Sequence, residues 1–178
     1  MLAILVWECE LASKEMGITA IPGVELTHVP AHLIAEAALK AKGLGAQIVI
    51  VHGETITEPV EPGTNMAALK SPHVDVLAHP GMLSEVEARL ARARGICLEL
   101  TSRRGHSLTN GHVARVALAA GAPLIVNSDA HAPEELLTAA VANHVALGAG
   151  LTTEEATATL QTNPQVLLKK LGRPPVVH

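Results

Sequence analysis

Five short apolar runs, each followed by a helix-like stretch, limit the folds open to this chain more than any other feature. The runs are continuous and rich in β-branched residues, which is typical of parallel strands buried on both faces. The predicted strands are 18–26, 47–53, 74–81, 96–102 and 123–131. This repeated order predicts an α/β domain with a parallel sheet and right-handed crossovers, either an open doubly wound sheet or part of a barrel.

Helical stretches lie between these strands and after the last one. Ser84, with Glu87 three residues later, predicts a capping box at the start of one helix. The predicted helices are 2–16, 31–43, 64–70, 84–94, 109–120, 133–147, 153–160 and 164–171. The longest irregular segment, 55–65, is predicted to be a loop over the strand ends.

Length and composition indicate a single domain, residues 1–178. The chain has no Phe and no Tyr, so Ala, Leu, Val and Ile must form the core. Cys9 and Cys97 form no CxxC pair, and we expect both to be reduced, as in a cytoplasmic protein. No run reaches the roughly 18 apolar residues of a membrane helix, so no membrane partner is expected. The net charge of −4, with scattered Lys and Arg, argues against a nucleic-acid partner.

Every predicted strand carries a polar residue of a ligand type at or near its end. These residues are Glu25, His52, His79, Glu99, and Asp129 with His131. In α/β folds the carboxyl ends of the strands form the active face. Imidazole and carboxylate ligands suit zinc, manganese or iron, and no cysteine joins them. The pattern therefore predicts a catalytic rather than a structural metal site.

Each of these residues also has a structural interpretation that the sequence leaves open. Asp129 and Glu25 can be caps, His52 a core histidine and His79 a turn residue. Glu99 can either support the ligands from behind or pair with Arg103 or Arg104. His28 and His106 follow strands, where they can contact a phosphate or a substrate.

Several motifs, taken in order, resemble the PHP family, named for polymerases and histidinol phosphatases. They are "IPGVELTHVP", "IVIVHGETI", "VLAHPG", "LELTSRRGHSLTNGHVA" and "VNSDAH". The resemblance spans about residues 15 to 170. It implies a distorted seven-stranded parallel β/α barrel with one to three divalent metal ions (Zn, Mn or Fe) at its mouth.

The resemblance also implies a role for each ligand. Glu25 would bridge two metals, His52 and His79 would complete one, Asp129 would bind the ion sharing Glu25, and His131 would bind a third. Family members begin with a strand carrying HxH, and nothing like it precedes "LVWECELASKEMG". We therefore expect an incomplete barrel of about five strands, truncated at its N-terminus, that self-associates as a homo-oligomer through the open barrel edge.

The reaction implied by the resemblance is hydrolysis of a small phosphate monoester by a metal-bound hydroxide. Glu25, Asp129 and His131 would be its catalytic residues. Substrate contacts would come from His28, Arg103, Arg104 and His106. Two alternatives remain: a catalytically impaired binding or assembly subunit, and a nuclease or proofreading enzyme.

Overall fold

The computed structural model describes residues 2–173. Within them lies a five-stranded sheet whose strands are all parallel and follow one another in sequence order. The strands are β1 (Gly23–Leu26), β2 (Ile48–His52), β3 (Val76–Ala78), β4 (Cys97–Thr101) and β5 (Leu124–Asn127). The expected α/β class with five parallel strands is confirmed, although each strand is shorter than predicted.

Proline and left-handed backbone shorten the strands. Pro22 has no N–H, and the β1 ladder begins only at the next residue. At the other end of the sheet, β3 stops before His79, which has a φ of 32°, and before Pro80. β5 stops two residues before Asp129, which has a φ of 52°. A left-handed residue cannot continue an extended strand, so the chain turns away from the sheet there.

The predicted helices are present with small shifts in their bounds. They are α1 (Leu2–Met16), α2 (Ile34–Gly43), α3 (Thr64–Lys70), α4 (Glu85–Arg94), α5 (Asn110–Ala120), α6 (Ala139–Gly148), α7 (Thr153–Thr157) and α8 (Asn163–Lys170). The capping box of α4 is confirmed, because Glu87 N–H donates to Ser84 Oγ and Ser84 N–H donates to Glu87 Oε2. The helix predicted over 133–147 is wrong in part: a 3₁₀ turn covers Pro133–Glu135, and α6 starts after its own cap, Thr138.

The core is aliphatic, as the composition requires. Leu77, Leu98, Leu100 and Leu124 are buried in or beside the sheet, and the covering helices contribute mainly Ala and Val. Burial raises the pKa of the Cys97 thiol to about 11. Cys97 is buried, as a small core residue would be, whereas Cys9 is partly exposed.

A buried carboxylate anchors the amino-terminal end of the sheet. Asp75 lies one residue before β3 and is 4% exposed. Its Oδ2 accepts the backbone N–H of Val49 at 3.0 Å and lies 2.5 Å from Lys42 Nζ. Its Oδ1 lies 3.5 Å from Lys170 Nζ. The carboxylate therefore ties β2, α2 and α8 together at the end of the sheet opposite the predicted site.

The outer edge of β1 pairs with no further strand within residues 2–173. Leu2 and Leu5 of α1, Val24 of β1 and Leu44 after α2 line an apolar groove beside it. On α1 itself, Trp7 stays 61% exposed. Across the described part of the chain, every helix is too short or too polar to traverse a bilayer.

Candidate metal-binding pocket

The carboxyl ends of the parallel strands bring the predicted ligand residues to one edge of the sheet. Glu25 lies in β1, His52 ends β2, His79 follows β3, Glu99 lies in β4, and Asp129 follows β5. A cavity of about 280 Å³ opens at this edge. Its lining residues are Glu25, Thr27, His52, Glu58, Arg103, His106, Asp129 and His131.

Backbone strain is concentrated at the same edge. Within residues 2–173, the non-glycine residues with positive φ are His28 at 55°, His79 at 32° and Asp129 at 52°. Such a conformation costs on the order of 1–3 kcal/mol per residue and is retained where the surrounding structure imposes it. Part of that support is visible at His79, whose backbone N–H donates to Glu99 Oε2 at 3.1 Å.

Three buried histidines form the centre of the site. His52, His79 and His106 are 4%, 2% and 5% exposed. Their ring centroids are separated by 4.4 Å (His52–His79), 4.5 Å (His79–His106) and 5.5 Å (His52–His106). One ring nitrogen from each lies within 4.8 Å of the others, a grouping that can hold a metal ion. The sequence analysis predicted two of these as ligands and His106 only as a substrate contact.

Each of the three rings has an oxygen acceptor near its Nδ1. His52 Nδ1 donates to the Gly53 carbonyl at 3.0 Å. His79 Nδ1 lies 3.2 Å from Glu99 Oε2, and His106 Nδ1 lies 3.4 Å from Asp129 Oδ2. The two carboxylate contacts are close but out of line for a hydrogen bond. The sequence left two interpretations of Glu99 open: support of the ligands from behind, or pairing with Arg103 or Arg104. In the structure its carboxylate contacts His79.

Four buried ring nitrogens have no hydrogen-bond partner within the described structure: His52 Nε2, His79 Nδ1 and Nε2, and His106 Nδ1. An unsatisfied buried polar group costs about 1–3 kcal/mol, so the cluster is costly as it stands. Burial, and then the neighbouring His79, lower the pKa of His52 and of His106. Burial alone would also lower the pKa of His79, but the carboxylates of Glu99, Glu25 and Asp129 together outweigh it and the pKa is raised.

Glu25, the residue expected to bridge two metals, lies at the rim. Its side chain is exposed in β1 and lines the cavity without joining the grouping of three histidines. Partial loss of hydration raises its pKa; His79 opposes this shift, and the carboxylates of Asp129 and Glu99 add to it.

Asp129 and His131 are held by an arginine. Arg103 Nε lies 3.3 Å from Asp129 Oδ2, and Arg103 Nη1 lies 3.5 Å from Glu135 Oε2. The same Nη1 lies 2.8 Å from Nδ1 of His131, whose side chain is 64% exposed. Arg103 therefore bridges two carboxylates. Its guanidinium, which was expected to contact a phosphate, is already occupied by these contacts. Arg104, the other arginine expected to contact substrate, is exposed.

One residue of the site was missed in the sequence analysis. Glu58 belongs to the loop predicted over 55–65, and its Oε2 lies 3.8 Å from His52 Nε2 and 3.5 Å from His106 Nε2. Its Oε1 lies 3.7 Å from Nε2 of the exposed His28. The only available signal was that this loop was predicted to cover the strand ends.

The fold and the site define a parallel α/β protein with a histidine-rich pocket at the carboxyl ends of its strands. The chain belongs to the same family as the uncharacterized protein MJ1295 of Methanocaldococcus jannaschii, with 50% identity over 172 residues that cover 94% of this chain and 79% of that protein. It is also 29% identical over 182 residues to ribonuclease P protein component 3 of Methanosarcina mazei, covering 90% of this chain and 73% of that protein.

Solved structures with the same fold include a chain of archaeal ribonuclease P, determined by cryo-EM with mature tRNA. The TM-score is 0.69 at 16% identity, over 93% of this chain and 73% of that one. The crystal structure of an uncharacterized protein gives a TM-score of 0.60 at 14% identity, over 97% of this chain and 50% of that one. No protein-family model matches the chain.

These comparisons correct the family expected from the motifs. A relative with a named function is a ribonuclease P protein, and a solved structure with the same fold is a chain of archaeal ribonuclease P. The expected small-molecule phosphatase and the expected absence of a nucleic-acid partner are wrong on the same grounds. The misleading motifs lie at strand ends, where the fold itself favours short loops with polar residues and glycine.

Proposed function

We propose that this chain is a binding and assembly subunit of an RNA-processing ribonucleoprotein of the ribonuclease P type. The observation that carries the proposal is the fold likeness to a chain of archaeal ribonuclease P over 93% of the residues. The similarity to ribonuclease P protein component 3 over 90% of the chain supports it independently. Of the functions considered from the sequence, the binding or assembly subunit agrees best with these findings.

We further propose that the sheet is part of an incomplete β/α barrel. The strands follow sequence order from β1 to β5 without a reversal. An open doubly wound sheet reverses its strand order at a switch point, where its ligand binds. A unidirectional order instead wraps the sheet in one sense, as in a barrel, and places the polar strand ends around a common mouth.

The charge distribution favours a subunit that joins a larger particle over a chain that binds RNA alone. With a net charge of −4, the chain as a whole repels a polyanion.

Helices α4 and α5 pack against each other and carry exposed arginines, which are Arg89, Arg92, Arg94 and Arg115. Arg89 is paired with Glu85 at 3.2 Å, and Arg92 donates to the Ala120 carbonyl. We propose this surface, termed the α4–α5 arginine surface, as the RNA contact.

The first test is reconstitution. Ribonuclease P of Methanosarcina mazei would be assembled from its RNA and protein components with component 3 left out, and this chain would be added in its place. We expect the chain to enter the particle in mass photometry and to tighten tRNA binding measured by fluorescence anisotropy. A chain that stays free at micromolar concentration, while genuine component 3 enters, contradicts the proposal.

The second test addresses the arginine surface within that particle. Replacing Arg94 and Arg115 together with glutamine should weaken tRNA binding and lower the slope of log affinity against log salt by roughly one per lost phosphate contact. The matched control replaces Lys14 and Lys40, which are exposed on α1 and α2, and removes the same charge. An equal loss in both pairs would mean that net charge matters and the location does not.

A further inference from the structure

The buried histidine cluster is not explained by RNA binding or by subunit assembly. We propose that His52, His79, His106 and Glu58 bind one divalent transition-metal ion of the zinc type. This inference stands on the geometry of the pocket and is independent of the proposed ribonucleoprotein role. It also differs from the ligand set expected from the sequence, because Glu58 and His106 enter it while Glu25, Asp129 and His131 do not.

The tautomers that the surroundings favour leave the right atoms open. A carbonyl can only accept, so the hydrogen of His52 lies on Nδ1, and Nε2 keeps its lone pair. Glu99 lies 3.2 Å from Nδ1 of His79 and Asp129 lies 3.4 Å from Nδ1 of His106, so a reorientation of either ring would bring its Nδ1–H into line with a carboxylate. Metal-bound histidines usually donate their second N–H to a carboxylate or a backbone carbonyl, which orients the ring. All three rings have such an oxygen acceptor near Nδ1.

One ring nitrogen from each of the three histidines lies near the others, and Glu58 offers a fourth donor atom. Nε2 of His52 and of His79 are buried and unpartnered, and a nitrogen from each ring lies within 4.8 Å of the others. Around tetrahedral zinc, nitrogens bound at about 2.1 Å lie about 3.4 Å apart, so the rings must turn toward one another to close on an ion. Glu58, like Glu25, lies outside the 4.8 Å grouping, but its Oε2 lies 3.8 Å from His52 Nε2 and 3.5 Å from His106 Nε2 and can complete the ligand set as the rings close on an ion.

The charge around the cluster also favours a cation. Apart from the histidines, the cavity brings one cationic side chain, Arg103, against a set of carboxylates. These are Glu25, Glu58, Glu99 and Asp129. A divalent ion would offset this excess negative charge and provide partners for the orphaned nitrogens.

Two of the residues expected as ligands are already engaged elsewhere. Asp129 Oδ2 contacts Arg103 Nε at 3.3 Å and stands beside His106 Nδ1, so the carboxylate supports the ring of His106 from behind. The exposed His131 is turned toward Arg103 through Nδ1. These contacts assign Asp129 to positioning His106 and leave His131 outside the ion's coordination.

The test measures metal content and coordination directly. The full chain is stripped with a chelator, loaded with Zn²⁺, freed of excess by gel filtration and analysed by elemental mass spectrometry. We expect about one ion per chain, and a Co²⁺-loaded sample with the visible absorption of a four-coordinate site. His106→Ala should lose the ion, and Glu58→Gln should bind it at least about tenfold more weakly. The control His144→Ala, on exposed helix α6, should keep it.

Glu25→Gln separates this ligand set from the one expected from the sequence. The proposal requires Glu25→Gln to retain the ion and the Co²⁺ spectrum. It is overturned if the parent chain emerges metal-free, or if Glu25→Gln loses the ion while His106→Ala keeps it. Circular dichroism checks folding; if His106→Ala does not fold, Glu58→Gln decides, because its side chain is 48% exposed. An unchanged affinity and spectrum in Glu58→Gln then overturns the ligand set.

Discussion

Replacing Gly81 with alanine is expected to lower the free energy of unfolding by about 3–5 kcal/mol, since overpacking and backbone strain act together. An added Cβ would lie 1.9 Å from the Glu54 carbonyl oxygen, which is backbone and cannot rotate away. The φ of Gly81, 65°, adds the strain of a left-handed L-residue. Urea denaturation followed by circular dichroism measures the change.

Gly95→Ala is the matched control. Gly95 ends α4 with a φ of 61°, and nothing lies within 4 Å of the position of its missing Cβ. Its replacement should therefore cost only the left-handed strain, about 1–2 kcal/mol. The difference between the two variants isolates the close approach of the turn after His79 to the chain after β2. Equal costs would show that this approach is relaxed in solution.

Replacing Asp75 with alanine should cost about 3 kcal/mol or more, the usual consequence of removing one partner of a buried ion pair. The substitution leaves the Lys42 ammonium and the Val49 N–H, which the carboxylate contacts at 2.5 and 3.0 Å, without that partner. Chemical denaturation of the variant and parent measures the loss. A change below about 1 kcal/mol, the range of an exposed pair, contradicts the prediction.

A double-mutant cycle with Lys42→Met tests the cause. If the ion pair carries the effect, Asp75→Ala should cost clearly less in the Lys42→Met background, because no half-buried ammonium then loses its carboxylate partner. Asp75→Asn should fall between, since its amide oxygen can still accept the Val49 N–H while the charge is lost. An unchanged cost in both backgrounds would assign the effect to the contacts that remain, the hydrogen bond with β2 and the ion pair with Lys170.

The sequence predicts the fold well because its signals are local. Continuous β-branched runs and the Ser84 capping box act over a few residues, and the structure has strands and a helix at those positions. Strand ends were predicted less well. The turns at His79 and Asp129 depend on left-handed backbone that non-glycine residues rarely adopt, so only tertiary contacts impose them.

The site was predictable only as far as the topology requires. Parallel strands share one carboxyl edge, which is why His52 and His79 come together. The contributions of Glu58 and His106 depend on how the loop after β2 and the 3₁₀ turn before α5 fold back over the sheet. No periodicity encodes such a fold-back. The engagement of Arg103 by Asp129 and Glu135 was likewise hidden, since Glu135 belongs to a stretch predicted to be helical.

The family prediction failed for a related reason. Motifs such as "VLAHPG" and "VNSDAH" consist of a strand followed by polar residues at its end. Polar residues occupy this position in proteins of this architecture that have different functions. The comparisons extend over most of the chain, including the helices that carry the arginine surface.

The Asp75 anchor and the histidine pocket occupy opposite ends of the same short strands. Substitutions of exposed residues at the rim of the pocket should therefore be tolerated by the scaffold, whereas substitutions at the anchor reduce the amount of folded protein without altering what each folded molecule binds. A lineage built on this plan is free to exchange its ligands while keeping its scaffold. We therefore expect paralogues that share the aliphatic sheet and differ in the residues at the rim of the pocket. Those rim residues should distinguish one paralogue from another.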